Sequence, residues 1–103
     1  MQYTKTKPNI GYEEFIKLIG DIQEFSSTTG KRYKVSQFDS THLKFNRLDG
    51  KKPEMEWTIN LAKLYQAYQS LNDFSTINFK PFVPITHSPG RGLLIRMGLL
   101  KIL

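Results

Sequence analysis

The 103-residue chain predicts an α+β domain, a three-stranded antiparallel β-meander packed against helices in the order α-β-β-β-α-loop-α. Three observations carry that reading. Tyr12, Phe15, Ile16, Ile19 and Ile22 recur at the spacing of one helix face. Between Tyr33 and Ile59 the apolar residues alternate instead, as they do on strands with one buried side. From Leu61 the helical spacing returns in Leu64, Tyr65, Tyr68 and Leu71.

A chain of this length suits one domain, residues 1–103, with a modest core. Residues 1–9 carry Lys5, Lys7 and Pro8 with little apolar content, and are expected to form a flexible polar arm. The first helix begins near Tyr12, with Glu13 and Glu14 where the helix dipole favours negative charge. The small polar run "SSTTG", 26–30, is expected to end it.

Three strands follow, marked by Tyr33 and Val35, by Leu43 and Phe45, and by Met55, Trp57 and Ile59. With "DST" (39–41) and "DGK" (49–51) as three-residue hairpin loops, Val35 faces Phe45, Phe45 faces Met55, and Leu43 faces Trp57. On the outer side Lys44 then meets Ser36 and Glu56, and Asn46 meets Glu54. Asn60 is placed to cap the second helix. Residues 72–88, with two prolines and several turn formers, read as a loop with a short extended stretch near Ile77 and Phe79.

The closing run "THSPGRGLLIRMGLLKIL" combines a glycine-rich turn with an apolar stretch. Such a turn can cradle a phosphate at a helix start, and Arg91 could grip one with two parallel hydrogen bonds. The Gly-Lys-Ser/Thr ending of a P-loop and the three spaced glycines of a dinucleotide site are missing, so the favoured reading is a cap, with Ser88 at N-cap and Pro89 at N1. Apolar residues surround the axis of the expected helix from Leu93 to Leu103, which suits burial in the core or an interface. Leu93, Leu94, Met97 and Leu100 are the candidate interface residues. Gly98 lowers helix propensity there, which suits close packing or fraying.

Charge supplies the functional lead. Fifteen Lys and Arg against nine Asp and Glu leave a formal +6, which favours polyanionic partners. Residues 31–52 hold Lys31, Arg32, Lys34, Lys44, Arg47, Lys51 and Lys52 against Asp39 and Asp49 alone, and no acid occurs after Asp73. In the expected register Lys31 and Arg32 enter the sheet at the end where Lys51 and Lys52 sit. Together with Arg47, and with Arg91 at the last helix, they are the candidate phosphate contacts of a nucleic-acid-binding module. Lysines at strand ends also guard against edge pairing, which is the competing explanation. Tyr33 and Trp57 fall on the inner face, so no stacking platform for bases is evident.

The order of elements in "RYKVSQFDSTHLKFNRLDGKKPEMEWTINLAKLYQAYQSL", residues 32–71, resembles that of the arm-type DNA-binding domains of some integrases and of plant AP2-type domains. In those families basic and aromatic side chains of the sheet face the groove. Glu54 and Glu56 occupy that face here, and no residue role is carried over.

Other chemistries have little behind them. His42 and His87 are not spaced as a metal pair, no Cys is present, and no nucleophile elbow or paired acid-base motif occurs, so neither an enzyme nor a metal or cofactor site is expected. The absence of Cys suits a reducing compartment, with the cytoplasm as default, and no apolar run is long enough for a membrane span. The leading expectation is a small, non-enzymatic basic binding module for nucleic acid. The alternative is a protein-interaction or homodimeric accessory protein that uses the apolar C-terminal helix.

Overall fold

The computed structural model describes residues 2–48 and 55–103. Its elements are β1 (Tyr3–Lys5), α1 (Tyr12–Gly20), β2 (Glu24–Ser26), β3 (Arg32–Phe38), β4 (His42–Arg47), β5 (Glu56–Asn60), α2 (Leu61–Ser70), α3 (Thr76–Phe79), α4 (His87–Arg96) and β6 (Leu100–Ile102). The main sheet is antiparallel and four-stranded, in the order β2-β3-β4-β5, and β1 pairs with β6 in a separate ribbon. The α+β class is as expected, while the three-stranded meander gains a strand and the element order gains β1, α3 and β6. A radius of gyration of 12.6 Å is that of one domain of this length, for which about 13 Å is typical.

The first helix buries Phe15 and Ile19, as its spacing predicts, but stops at Gly20. "SSTTG" does not end it. That run forms the turn between β2 and β3: Ser27 N–H donates to Lys31 O at 2.8 Å, Lys31 N–H donates to Ser27 Oγ at 3.2 Å, and Gly30 adopts φ 88°. The left-handed backbone there is open to glycine at no steric cost. Ile22 and Phe25 are three apart and extend the helical rhythm on paper, whereas a three-residue strand with one buried side chain shows no alternation of its own.

The β3–β4 hairpin keeps its predicted three-residue loop and the Val35–Phe45 pairing. Its register shifts between Val35 and Gln37, so Lys44 lies opposite Gln37 and not Ser36. The β4–β5 register differs by two residues from the expected one: Phe45 faces Trp57, Leu43 faces Ile59, Lys44 faces Thr58 and Asn46 faces Glu56. A shift of two leaves every side chain on its predicted face. It also seats Trp57 opposite Phe45 and leaves Met55 47% exposed, so the larger apolar surface takes the covered position. The connection from Arg47 to Glu56 is therefore longer than a three-residue loop; "DGK" itself lies outside the described residues, as does Glu54.

Asp39 locks the hairpin loop. Its Oδ1 accepts hydrogen bonds from Thr41 Oγ1 at 2.7 Å and from the Thr41 and His42 N–H groups at 2.8 Å. These bonds, the Thr41 hydroxyl first, hold its carboxyl down from 3.8 to about 2. A depressed carboxylate stabilises the fold fully above its unfolded pKa of about 4, and that contribution disappears as pH falls through about 2. Carbon-detected NMR titration of Asp39 is expected to show the low midpoint, and Thr41→Val to move it back toward the ordinary value. A wild-type midpoint near 4 refutes the loop chemistry described.

The second helix is capped as predicted: Asn60 Oδ1 accepts from Lys63 N–H at 3.1 Å. Leu61, Leu64 and Tyr68 of its apolar face are fully buried. The stretch expected near Ile77 and Phe79 as extended chain is one helical turn, α3, because Asp73 and Ser75 supply a start: Asp73 Oδ1 accepts from Ser75 N–H at 3.0 Å, and Phe79 N–H reaches Ser75 O at 3.0 Å.

The last helix departs most from expectation. It begins at His87 with Thr86 as N-cap, and ends at Arg96. Ser88 is therefore inside the first turn, and its buried Oγ has no hydrogen-bond partner among the described residues. Gly98, at φ 80°, stops the helix, with Leu99 N–H donating to Leu94 O at 3.0 Å and Gly98 N–H donating to Ile95 O at 3.0 Å. This is a Schellman ending, closed by the fully buried Leu94 and Leu99. Gly98 is thus a stop, and not a packing or fraying site. Gly98→Ala forces a side chain into the left-handed region and is expected to cost about 1 kcal/mol in urea unfolding.

Beyond the stop the chain becomes β6, which pairs Tyr3 with Ile102, Thr4 with Lys101 and Lys5 with Leu100. Residues 3–5 are therefore tied into the fold and do not form the expected arm. Among the described residues three pairs hold this ribbon, flanked by Thr6 N–H to Leu99 O and Leu103 N–H to Gln2 O, and their partners lie at opposite ends of the sequence, so no local pattern announces it.

Candidate functional site

The glycines of "SPGRG" explain why α4 lies where it does. A Cβ on Gly92 would sit 1.9 Å from Ser26 O, so the helix backbone rests directly on β2. Gly90 gives similar room to Leu64, where a Cβ would stand 3.3 Å from the nearest methyl carbon. Both glycines are buried inside the helix, away from solvent, and the run is a packing device. It is not a phosphate cradle.

Arg91 is drawn inward by the same geometry. It is 9% exposed; its guanidinium donates to Phe74 O at 2.9 Å and to Thr76 Oγ1 at 3.3 Å, and stands 5.9 Å from the centre of the Tyr3 ring. It braces α3 and β1 against α4 and does not present itself as a phosphate contact, which corrects its place among the candidates. With His87 as the first residue, Arg91 also lies a full turn inside the helix and away from its start.

Leu93, Leu94, Met97 and Leu100 are also core residues, at 0, 0, 9 and 3% exposure. They offer no free apolar face, because the helix expected to run to Leu103 ends at Arg96 and its continuation turns into β6.

Three of the basic residues stand at one end of the sheet, Arg32 on its outer face and Arg47 on the face of Tyr33. Lys31 stands in the turn ahead of β3, Arg32 opens β3, and Arg47 ends β4 opposite Tyr33. Leu48 N–H donates to Arg32 O at 2.9 Å, so the β4–β5 connection departs beside Arg32. Lys51 and Lys52 belong to that connection and lie outside the described residues. Arg32 meets Glu24 of β2 at 3.6 Å, with both side chains more than half exposed. An ion pair so wet contributes little, and a competing anion displaces it at small cost.

The fold adds a cation that charge patterning alone does not single out. Arg96 lies four residues after Gly92 and shares its helix face. Because Gly92 rests on Ser26, Arg96 is carried to the edge of β2, where it lines one cleft with Arg32, Glu24 and Ile95. A glycine inside an apolar helix start is the signal in the sequence, since it marks close approach to another backbone.

The outer sheet face is mixed in sign. Arg32, Lys34 and Lys44 share it with Glu24 and Glu56, and Ser36 Oγ donates to Glu56 at 2.7 Å. Both acids lie in the row of Lys34 and Asn46, next to the Arg32 end, so the face itself carries no concentrated positive charge. Among the described residues no group of His, Asp and Glu is gathered closely enough to hold a metal ion, and no helix is long and apolar enough to cross a membrane. His42 and His87 are held locally, by Thr41 Oγ1 at 2.9 Å and Pro84 O at 3.1 Å. No protein-family model, curated protein or solved structure matches the chain.

Proposed function

We propose that the protein is a small basic binding module that engages nucleic-acid phosphates through the end of its sheet. The observation that carries this reading is that Arg32, at the sheet end where Lys31 and Arg47 also stand, shares a cleft with Arg96, a residue far away in sequence. Arginines suit the task because their planar donors match phosphate oxygens, and lysines add charge without demanding a geometry. The chain's formal +6 supplies long-range attraction of the same sign. Lys51 and Lys52 extend the proposed set of phosphate ligands by their place in the adjoining connection.

The test is a titration of labelled nucleic acid followed by anisotropy at low and at moderate salt. Phosphate contacts release counterions, so affinity is expected to fall steeply as salt rises. The pair Lys31→Glu and Arg96→Glu is expected to weaken binding by about tenfold or more at low salt and to reduce the salt slope by roughly one for each phosphate no longer neutralised. Both residues are exposed, so the thermal midpoint should hardly move. Binding that ignores both salt and the double reversal would sink the proposal.

A further inference from the structure

Between the basic edge and the start of α4 lies a cavity of about 170 Å³. Tyr33 and Trp57 form its aromatic side, Thr86 and Pro89 line it from the α4 side, and the exposed Lys31 is also part of its lining. Among the described residues, no acid lines it. The two rings meet edge to face, 6.1 Å apart at 89°. Phe25, Tyr33 and Phe45, the rings clustered with it, are no more than 5% exposed, whereas Trp57 keeps part of its surface uncovered. That remaining surface therefore borders a cavity where, among the described residues, the ionisable lining groups are Tyr33 and Lys31, and the lysine belongs to the proposed phosphate edge.

We infer that this cavity receives an unpaired nucleobase, and that the module binds single-stranded nucleic acid in preference to duplex. The inference rests on the phosphate-contact reading above. A base has the flat apolar face that stacks on an indole, and its own phosphate stays close enough for an exposed lysine of the lining. Bases in a duplex are already stacked and paired, and one can enter only after being pulled from the helix at a cost of a few kcal/mol. The edge of the sheet thus attracts either form, while the cavity discriminates between them.

Trp57 is the chain's single tryptophan, so its emission reports on the cavity directly. The experiment titrates the intact protein with end-labelled oligothymidylate, and separately with a duplex of equal length, recording label anisotropy and tryptophan emission together. Expected is quenching of Trp57 in step with the anisotropy rise, and single-strand binding about tenfold tighter than duplex binding. Equal affinity for duplex, or a full anisotropy change with unmoved emission, overturns the base-pocket inference and leaves the phosphate edge standing. No binding of either probe overturns both.

A variant separates the two contributions further. Trp57→Leu keeps an apolar side chain against Phe45 and is expected to lose about tenfold in single-strand affinity while duplex affinity holds. Arg96→Glu, on the other cleft, is expected to weaken both probes alike. Circular dichroism checks that each variant folds; if Trp57→Leu does not, the emission titration on the unaltered protein still decides.

Discussion

Gly92→Ala is expected to destabilise the protein by about 3 kcal/mol, although the change adds helix propensity of about 1 kcal/mol in isolation. The added carbon would stand 1.9 Å from Ser26 O and 2.8 Å from Ser27 Cα, and both obstacles are backbone. No side-chain rotation relieves such a contact. Either α4 lifts off β2 or the β2 strand bends, and each opens gaps around Leu93, Leu94 and Phe25, which are buried beside the junction. In a domain of this size that loss lowers the thermal midpoint by roughly 15 °C. Gly20→Ala is the matched control: its Cβ would meet only Phe38, at an ordinary 3.6 Å, and stability should stay level or rise slightly. Equal midpoints for the two variants in thermal unfolding would show that α4 does not lie on β2 as described.

The second large effect is expected at Tyr68. Its ring is fully buried, and its hydroxyl accepts from Lys7 N–H at 3.1 Å and donates to Leu99 O at 2.9 Å. One phenol on α2 therefore fastens both the segment after β1 and the turn before β6. Tyr68→Phe keeps the ring, leaves the Lys7 N–H without this partner and takes one of two donors from Leu99 O, which is expected to cost about 2 kcal/mol. Tyr68→Ala removes the ring as well and should cost about 4 kcal/mol. Amide hydrogen exchange gives the more specific check. In Tyr68→Phe the Lys7 and Thr6 amides should lose protection well before those of β3 and β4, since Thr6 N–H donates to the same Leu99 O at 3.0 Å. Uniform loss of protection through the whole protein contradicts the fastening role.

Much of this architecture is written in periodicity. The faces of α1, α2, β3, β4 and β5 follow from apolar spacing, because each element is long enough to repeat its pattern and buries one side. What the pattern leaves open is register in steps of two, since Phe45 can face Met55 or Trp57 with every face preserved. Area decides that case. The three-residue elements β1, β2 and β6 are not legible at all, because a single buried residue has no period and their partners come from tertiary contact.

The candidate site divides in the same way. Lys31, Arg32 and Arg47 can be placed together from sequence because one hairpin joins them. Arg91 leaves the set and Arg96 joins it because Ser88 and Pro89 imitate a helix start, while the seating of α4 on β2 leaves Arg91 buried and Arg96 exposed. Gly98 offers the missing clue to the interface residues: a glycine after an apolar turn marks a helix end, and the end at Arg96 is what sends Leu100 into a strand and into the core.

The β1–β6 ribbon also sets an order of events. Leu103 N–H reaches Gln2 O at 2.9 Å, and Tyr3 faces Ile102, so this pairing closes a loop of nearly a hundred residues, by far the longest in the fold. During synthesis β1 is made well before β6, and the ribbon can zip only once residues 100–102 have left the ribosome. A short linker fusing residue 103 to residue 2, with new ends cut in the connection between Arg47 and Glu56, would turn the slowest closure of the chain into its most local one.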